Sequence, residues 1–410
     1  MEQQAKYLKT MKHISNRLNA LSESATLVMS QKSSELKAQG VDVINLSVGE
    51  PDFYTPNHIK EAAKKAIDNN FTFYTPASGT LDLRKAICKK LKNENELNYT
   101  PNQIVCSNGA KQAICNTILA IVNKGDEVIV PAPYWVSYPE MVKLAEGIPV
   151  IVTAGIEQDF KITASQLNQT ITEKTKAVFI NSPSNPTGSV YSKAELKALA
   201  DVLAKHKHVY IISDEIYEHI NYVGKHESIA QFDELTDRVI IVNGVSKCYS
   251  MTGWRSGWMA APEWIAKTCG KLQGQYTSGP GSISQKAAQA AYEGSQEEVE
   301  TMRKAFERRK QLTFSLLAEI DGLEVNNPQG AFYLFPKCSS FYGKSYNGHT
   351  IKNSDDLAIY LLEEAHVACV AGGAFGAPDN IRLSYATSDE NLVEAVNRIK
   401  EALSKLKDER

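Results

Sequence analysis

No sign of charge dominates this chain of 410 residues: 45 Lys and Arg face 47 Asp and Glu, and with the eight His neutral the formal net charge is −2. Without a basic excess there is no field to gather nucleic acid or an anionic membrane surface, and neither is expected as a partner. Long apolar runs are missing too. Nothing approaches the ~20 consecutive apolar residues of a membrane-spanning helix, and the polar N-terminus has no apolar stretch of the kind a secretory signal carries. Cysteine is sparse: the seven (Cys88, Cys106, Cys115, Cys248, Cys269, Cys338 and Cys369) show no metal-ligand spacing and sit mostly in apolar surroundings. That suits packed, reduced thiols, a cytoplasmic setting and no resident metal. Internal repeats and low-complexity tracts are likewise absent. What is left is an ordinary globular composition, long enough for a large core and two domains, whose partners are expected to be small molecules.

Up to residue 40, charged residues mix with an apolar pattern, which reads as an arm ending in a helix over 30–39 closed by Gly40. A strand is expected over 41–48, left at Gly49-Glu-Pro-Asp-Phe53, where glycine and proline force the chain out of a sheet. Helices follow over 58–69 and 81–93, the second from the spacing of Leu83, Ile87 and Leu91, with an aromatic loop holding Tyr74 between them. From residue 104 strand and helix alternate: strands over 104–106, 127–131, 148–152, 177–180, 209–213, 239–242 and 257–260, helices over 112–122 and 193–206. Such alternation argues for an α/β domain on a mostly parallel, seven-stranded sheet. Ser295-Gln-Glu-Glu298 reads as a capping box that opens a helix long enough to bridge two domains. Beyond residue 321, strands over 323–325, 331–334, 367–370 and 381–385 alternate with helices over 354–365 and 389–406, a smaller α+β domain in which 339–353 reads as surface loop.

Chemistry-bearing residues collect where the strands end. The strand over 239–242 runs into the loop 243–257, which places Lys247 at a carboxyl end, where open α/β sheets bind ligands. The strand over 177–180 delivers Asn181-Ser-Pro-Ser-Asn-Pro-Thr-Gly188, and that over 209–213 delivers Asp214-Glu-Ile-Tyr217. Each has a plainer reading: a solvated lysine, a turn at Asn185-Pro186, a helix cap at Asp214, a packed Tyr217. Together they set an amide, a carboxylate, a phenol and an amine at one edge of one sheet. Pyridoxal phosphate needs that set: a lysine for the Schiff base, a carboxylate to keep the pyridine nitrogen protonated, and donors for the phenolic oxygen. Its phosphate would find free backbone N–H groups at Ser107-Asn-Gly-Ala-Lys111, a glycine turn opening a helix, and a planar cation in Arg255. Trp135 either stacks on the pyridine ring or packs in the core.

Ser107-Asn-Gly-Ala-Lys-Gln112, Pro133-Tyr-Trp-Val-Ser-Tyr-Pro139, Asn181 to Gly188, Ser213-Asp-Glu-Ile-Tyr217, Ser246-Lys247 and Met251-Thr-Gly-Trp-Arg-Ser-Gly257 follow in one order. In these motifs, over residues 15–405, the sequence resembles the class I aminotransferases, pyridoxal phosphate enzymes of fold type I. It is most similar to their bacterial type of aspartate aminotransferase, with which it shares Gly49 to Phe53 and Arg382-Leu-Ser-Tyr-Ala-Thr-Ser388. The resemblance implies a homodimer whose chains have a large cofactor-binding domain over 58–300 and a small domain over 301–410, completed by an N-terminal arm and segment over 1–57. It implies that Lys247 forms the Schiff base and shuttles the proton, that Asp214 pairs with the pyridine nitrogen, and that Tyr217 and Asn185 bond the phenolic oxygen. Trp135 would stack, while Gly109, Ala110, Ser246 and Arg255 would hold the phosphate and Tyr74 would reach the phosphate of the other subunit. Arg382 would fork onto the substrate α-carboxylate, helped by the Gly49 backbone, Asn185 and Trp135. Gly244 stands where some relatives place a phosphate-binding serine, which leaves that contact to backbone or to Ser246.

The reaction so implied is transamination between aspartate and 2-oxoglutarate. In many relatives the loop matching 276–282 presents an arginine to the distal carboxylate; here it has none. Lys111 takes the position of the lysine that serves bacterial-type relatives instead, and Ser24 and Thr26, within 22–26, match their mobile lid. An aminotransferase of other specificity, prephenate included, and a pyridoxal phosphate-dependent lyase or synthase are the alternatives. A non-enzymatic cofactor-binding regulator is disfavoured, because the 40 residues before the first strand are too few and not basic enough for a DNA-binding extension.

Overall fold

Seven short runs rich in Val, Ile and Ala are apolar on both sides, the pattern of strands covered on both faces, although the one at 148–153 lies at an edge and leaves Ile148 and Ile151 exposed. In the computed structural model, which describes residues 14–408, they form one sheet in the order Ile104–Ser107, Gly257–Ala260, Val239–Gly244, Tyr210–Asp214, Thr175–Asn181, Glu127–Ala132, Ile148–Thr153. Neighbours are parallel except at Gly257–Ala260, which is antiparallel to both strands beside it. This is the mostly parallel sheet expected, with every strand within one or two residues of its expected bounds. Alternation divides its side chains between two cores: Val178, Ile211 and Ile241 face one set of helices, Phe179, Ile212 and Val242 the other. Register then aligns the ends that matter, with Asn181 opposite Asp214 and Asp214 opposite Val242, so the loops that follow start side by side.

A third core gathers Val43, Ile44 and Leu46 with Phe332, Leu334, Val367, Leu383, Leu392 and Ile399. Its strands are short: Tyr333–Leu334, Ile381–Ser384 and Val370–Ala371 form an antiparallel sheet, and Ile44–Asn45 runs parallel to Val367–Ala368. Helix Glu297–Ala318 passes from one core to the other, since Val299 packs with the large sheet and Met302 and Phe306 with this third core.

The sequence expectation fails mainly in this smaller part. The strand expected over 41–48 shrinks to Ile44–Asn45, because Ser47 turns its N–H and hydroxyl to Asn45 Oδ1 and leaves the ladder. Over 323–325 there is only an isolated bridge, Glu324 to Lys337. The strand expected over 367–370 is split into Val367–Ala368 and Val370–Ala371, which pair with different neighbours. Segment 339–353 is not plain loop: Lys344–Tyr346 pairs with His349–Thr350 and with Lys407–Asp408. The hairpin turns at Asn347-Gly348, with φ of 47° and 83°, and Asn-Gly is the usual signal for such a turn. The capping box at Ser295 does not form. The helix starts at Glu297, Ser295 Oγ accepts only from Glu297 N–H at 3.2 Å, and Glu298 faces His58 instead, at 3.9 Å. The first helix is longer than expected, Ala25–Ala38, and helices Ser137–Leu144, Ala164–Thr170, Glu263–Tyr276 and Ser282–Glu293 were not foreseen. Residues 1–13 of the expected arm lie outside the described residues. Among the described residues, no helix is long and apolar enough to cross a membrane.

Candidate active site

The loops leaving the carboxyl ends of the sheet close on a cavity of about 510 Å³. Lys247 reaches it from the turn after strand Val239–Gly244 and donates through Nζ to the Gly49 carbonyl, with Nζ 5.9 Å from the ring centres of Tyr217 and Phe332. Burial depresses its ammonium to about 8, with Arg382 and Arg255 pushing the same way against Glu50 and Asp214. Asp214, the last residue of its strand, is buried. Tyr138 donates its hydroxyl to Asp214 Oδ2 at 2.7 Å and the Ile216 N–H donates to Oδ1 at 3.2 Å. Burial still outweighs those bonds and lifts the carboxyl to about 6. No cation of the described residues forms a salt bridge with it, so this buried carboxylate faces the cavity without a cationic partner. Tyr217 follows on an irregular turn, and its hydroxyl meets that of Tyr333 at 2.8 Å.

Arg382, 2% exposed, enters from strand Ile381–Ser384 of the smaller sheet. Its Nη1 donates to Asn185 Oδ1 at 3.0 Å and its Nη2 to the Ser47 carbonyl at 2.6 Å, while the rings of Tyr333 and Phe375 lie 4.6 and 5.0 Å from the guanidinium carbon. Nε has no partner, and no carboxylate of the described residues pairs with this cation. Asn185 is in turn held by its own N–H on Asn181 Oδ1 at 2.9 Å.

Arg255 lies beside the N-terminus of helix Ala110–Ile121, where Nη2 donates to the Asn108 carbonyl at 3.2 Å and Nη1 to the Thr252 carbonyl at 3.0 Å. Gly109 has φ of 86°, a conformation that favours glycine, and a Cβ there would fall 2.5 Å from Arg255 Nη2 and push that side chain aside. A side chain at Gly244 would meet Gly257 Cα at 2.8 Å and the Ser256 carbonyl at 2.9 Å, so a serine does not fit that spot without backbone movement. Lys111 projects from the first turn of the same helix to 4.9 Å from the Trp135 ring centre, again without a carboxylate partner among the described residues. Burial lowers its ammonium pKa, and Arg255 adds to the effect.

Of the residues expected at the site, Ser24, Thr26, Gly49, Ala110, Lys111, Trp135, Asn185, Asp214, Tyr217, Ser246, Lys247, Arg255 and Arg382 all line this one cavity. Gly109 sits just behind it against Arg255. Tyr74 does not: it is 97% exposed, beside Phe73 at 83% and not far in sequence from Tyr54 at 91%. Among the lining residues that the sequence reading did not single out, Tyr138 and Tyr333 touch the expected ones directly. Tyr138 is one helical turn past Trp135, a spacing that could have found it; Tyr333 lies in a strand of the smaller sheet, and nothing local marks it.

A buried lysine, a buried carboxylate and anion-seeking groups at the carboxyl edge of such a sheet define a transferase of fold type I. The chain belongs to the class I and II aminotransferases, whose family profile matches residues 41–399. It is 51% identical over 389 residues to the aspartate aminotransferase of Geobacillus stearothermophilus (94% of this chain, 98% of that one). It is 49% identical over 392 residues to the aspartate/prephenate aminotransferase of Cereibacter sphaeroides (95% and 98%). Among solved structures, the aspartate aminotransferase of Rhizobium meliloti superposes with a TM-score of 0.93 at 42% identity (96% and 100% covered). That of Thermus thermophilus with maleate superposes at 0.90 and 41% (95% and 99%).

Proposed function

We propose that this aminotransferase uses pyridoxal phosphate to move the amino group of L-aspartate to 2-oxoglutarate, giving oxaloacetate and L-glutamate. The observation that carries the reading is one cavity holding Lys247 and Asp214 together with two cations, Arg382 and Lys111, that have no carboxylate partner among the described residues. With Arg255, which also has no carboxylate partner among the described residues, given to the cofactor's phosphate, these two cations suit a dicarboxylate, and the Thermus relative was solved with one, maleate.

The residues present fit the cofactor: Asp214 lacks a cationic N–H partner, and Gly109, Ala110, Ser246 and Arg255 offer an anion the end of a helix and a guanidinium. When bound, the cofactor supplies an electrophilic carbonyl and a ring that takes up electrons. Lys247 would hold it through Nζ, Asp214 would keep its ring nitrogen protonated, Tyr217 and Asn185 would bond its phenolic oxygen and Trp135 would lie against its ring. Arg382 would take the α-carboxylate of the amino acid, with Asn185 and the Gly49 backbone beside it, and Lys111 the distal one. So held, the substrate presents its Cα proton to Lys247, whose depressed pKa of about 8 makes the amine a competent base. Ser24 and Thr26 on the cavity wall would exclude water from the bound substrate.

Tyr74 would serve the site of a second copy, which accounts for its exposure here and implies a C2 homodimer. A second reading is prompted by the Cereibacter relative: prephenate, with its additional carboxylate, would use Lys111 in the same way. Incubation with aspartate and 2-oxoglutarate, followed by measurement of oxaloacetate and glutamate, tests the first; replacing oxaloacetate by prephenate as acceptor for glutamate tests the second. No amino transfer between aspartate and 2-oxoglutarate would reject the proposal.

A further inference from the structure

Tyr333 has no part in the machinery assigned above. It stands fully buried on the short strand Tyr333–Leu334, its ring centre 4.6 Å from the Arg382 guanidinium carbon and its hydroxyl 2.8 Å from that of Tyr217. A Cβ placed on Gly49 would lie 2.7 Å from that hydroxyl, so it also rests against the backbone whose carbonyl receives Lys247 Nζ. We propose that Tyr333 is a positioning residue: it donates its one proton to Tyr217, which turns the Tyr217 proton toward the cofactor, while its ring seats Arg382. The inference rests on the reading of Tyr217 as donor to the phenolic oxygen.

The argument is a count of protons. Two hydroxyls carry two protons, and only one can lie between their oxygens. Among the described residues the Tyr333 hydroxyl has no hydrogen-bond partner except Tyr217. If Tyr217 donated to Tyr333, the Tyr333 proton would be buried without an acceptor and Tyr217 would show the cavity only lone pairs. Both consequences are unfavourable, the first by desolvation and the second because lone pairs repel an ionised oxygen. With Tyr333 donating, both protons find acceptors, and a hydroxyl that accepts one bond becomes a better donor in the next. The ring adds a separate function, since a cation over a π face is held in place without a counter-charge that would compete with substrate.

The test uses the holoenzyme and the pH midpoint of its visible absorption band, which reports the proton on the nitrogen linking Lys247 to the cofactor. A less well supported phenolic oxygen holds that proton more tightly. Tyr333→Phe, which keeps the ring, should therefore raise the midpoint by about half a unit, in the same direction as Tyr217→Phe but by less. Combined with Tyr217→Phe it should add nothing. Maleate affinity should stay within about twofold in Tyr333→Phe and fall about tenfold in Tyr333→Leu, which removes the ring. An unmoved midpoint in Tyr333→Phe where Tyr217→Phe does move it overturns the relay. A shift of equal size with and without Tyr217 overturns it as well, because the effect then does not pass through Tyr217. Unchanged maleate binding in Tyr333→Leu overturns the seat. If Tyr217→Phe itself leaves the midpoint unmoved, the assignment of Tyr217 fails first and the relay with it, a result recognisable from that single variant.

Discussion

A lysine amine is a weak base at neutral pH only because its ammonium is well hydrated, and burial removes that hydration. Lys247 lies between Gly49, Tyr217 and Phe332, and its pKa is brought to about 8 by burial first and by Arg382 and Arg255 second. The neutral amine is the reactive form, so in cofactor-free protein the labelling of Lys247 by an amine reagent should rise through a midpoint near pH 8. An exposed lysine would titrate at about 10.4; a midpoint there, read by peptide mass spectrometry, would contradict the desolvated setting. Lys247→Ala should fold, bind pyridoxal phosphate without a covalent link and lose turnover by roughly 10⁴-fold. Lys111 sits over Trp135 with no carboxylate to neutralise it. A charge-assisted bond contributes about 1.5–3 kcal/mol, so Lys111→Ala should lower kcat/KM for aspartate by about ten- to a hundredfold while leaving neutral amino acids unaffected. Equal losses on aspartate and alanine would remove Lys111 from the distal-carboxylate role.

At the scale of elements, the turn that follows Asp214 and carries Tyr217 has no helix or ladder of its own to hold it. It continues into Glu218, whose carboxylate is buried against Lys90 of helix Leu81–Asn95, and Lys90 Nζ also donates to Asn95 Oδ1 at 2.7 Å. Burial alone would raise the Glu218 pKa, but Lys90 overrides it, with His219 and His226 adding, and the carboxyl ends at about 2. A group depressed on folding stabilises the native state above its unfolded pKa and loses that contribution as pH falls through its folded one. Glu218→Gln leaves the buried Lys90 with only the more exposed Glu94, at 3.5 Å, as a carboxylate partner and should cost up to about 3–5 kcal/mol at pH 7 in urea unfolding. The gap between variant and wild type should narrow as pH falls from 4.5 toward 2. A gap that is the same at both ends of that range would mean that the ion pair is not what holds the turn.

For the whole molecule, we propose that the chain divides near residue 300 into a large domain on the seven-stranded sheet and a small one that recruits the segment before residue 57. The support is the passage of helix Glu297–Ala318 from one core to the other between Val299 and Met302, and the packing of Val43 to Leu46 with the C-terminal strands. The dimer proposal is checked by mixing two defective chains. Lys247→Ala and Tyr74→Ala are each expected to be impaired, yet a hybrid of the two has one site in which both residues are native, so activity should reappear on subunit exchange. If the mixture stays as inactive as its parts, Tyr74 does not act across subunits.

Much of this was readable without coordinates, for a physical reason. A strand buried on both faces must be apolar throughout, and the residue where it leaves the sheet must be able to turn, so seven strand ends and the loops holding Asn185, Asp214 and Lys247 stood out as changes of composition. Glycines that need positive φ, such as Gly109, marked the turn that opens a helix on the cavity. The sequence by itself therefore determined the large sheet, its carboxyl edge and the residue types collected there. Tertiary structure decided the rest. Strands of two residues in the smaller part carry too little periodicity to be seen, and they exist only because distant segments such as Ile44–Asn45 and Val367–Ala368 meet. The same holds for burial: whether Lys247 is a base, whether Arg382 lacks a counter-charge and whether Tyr333 touches Tyr217 depend on which side chains fold over them, and those come from parts of the chain far apart in sequence.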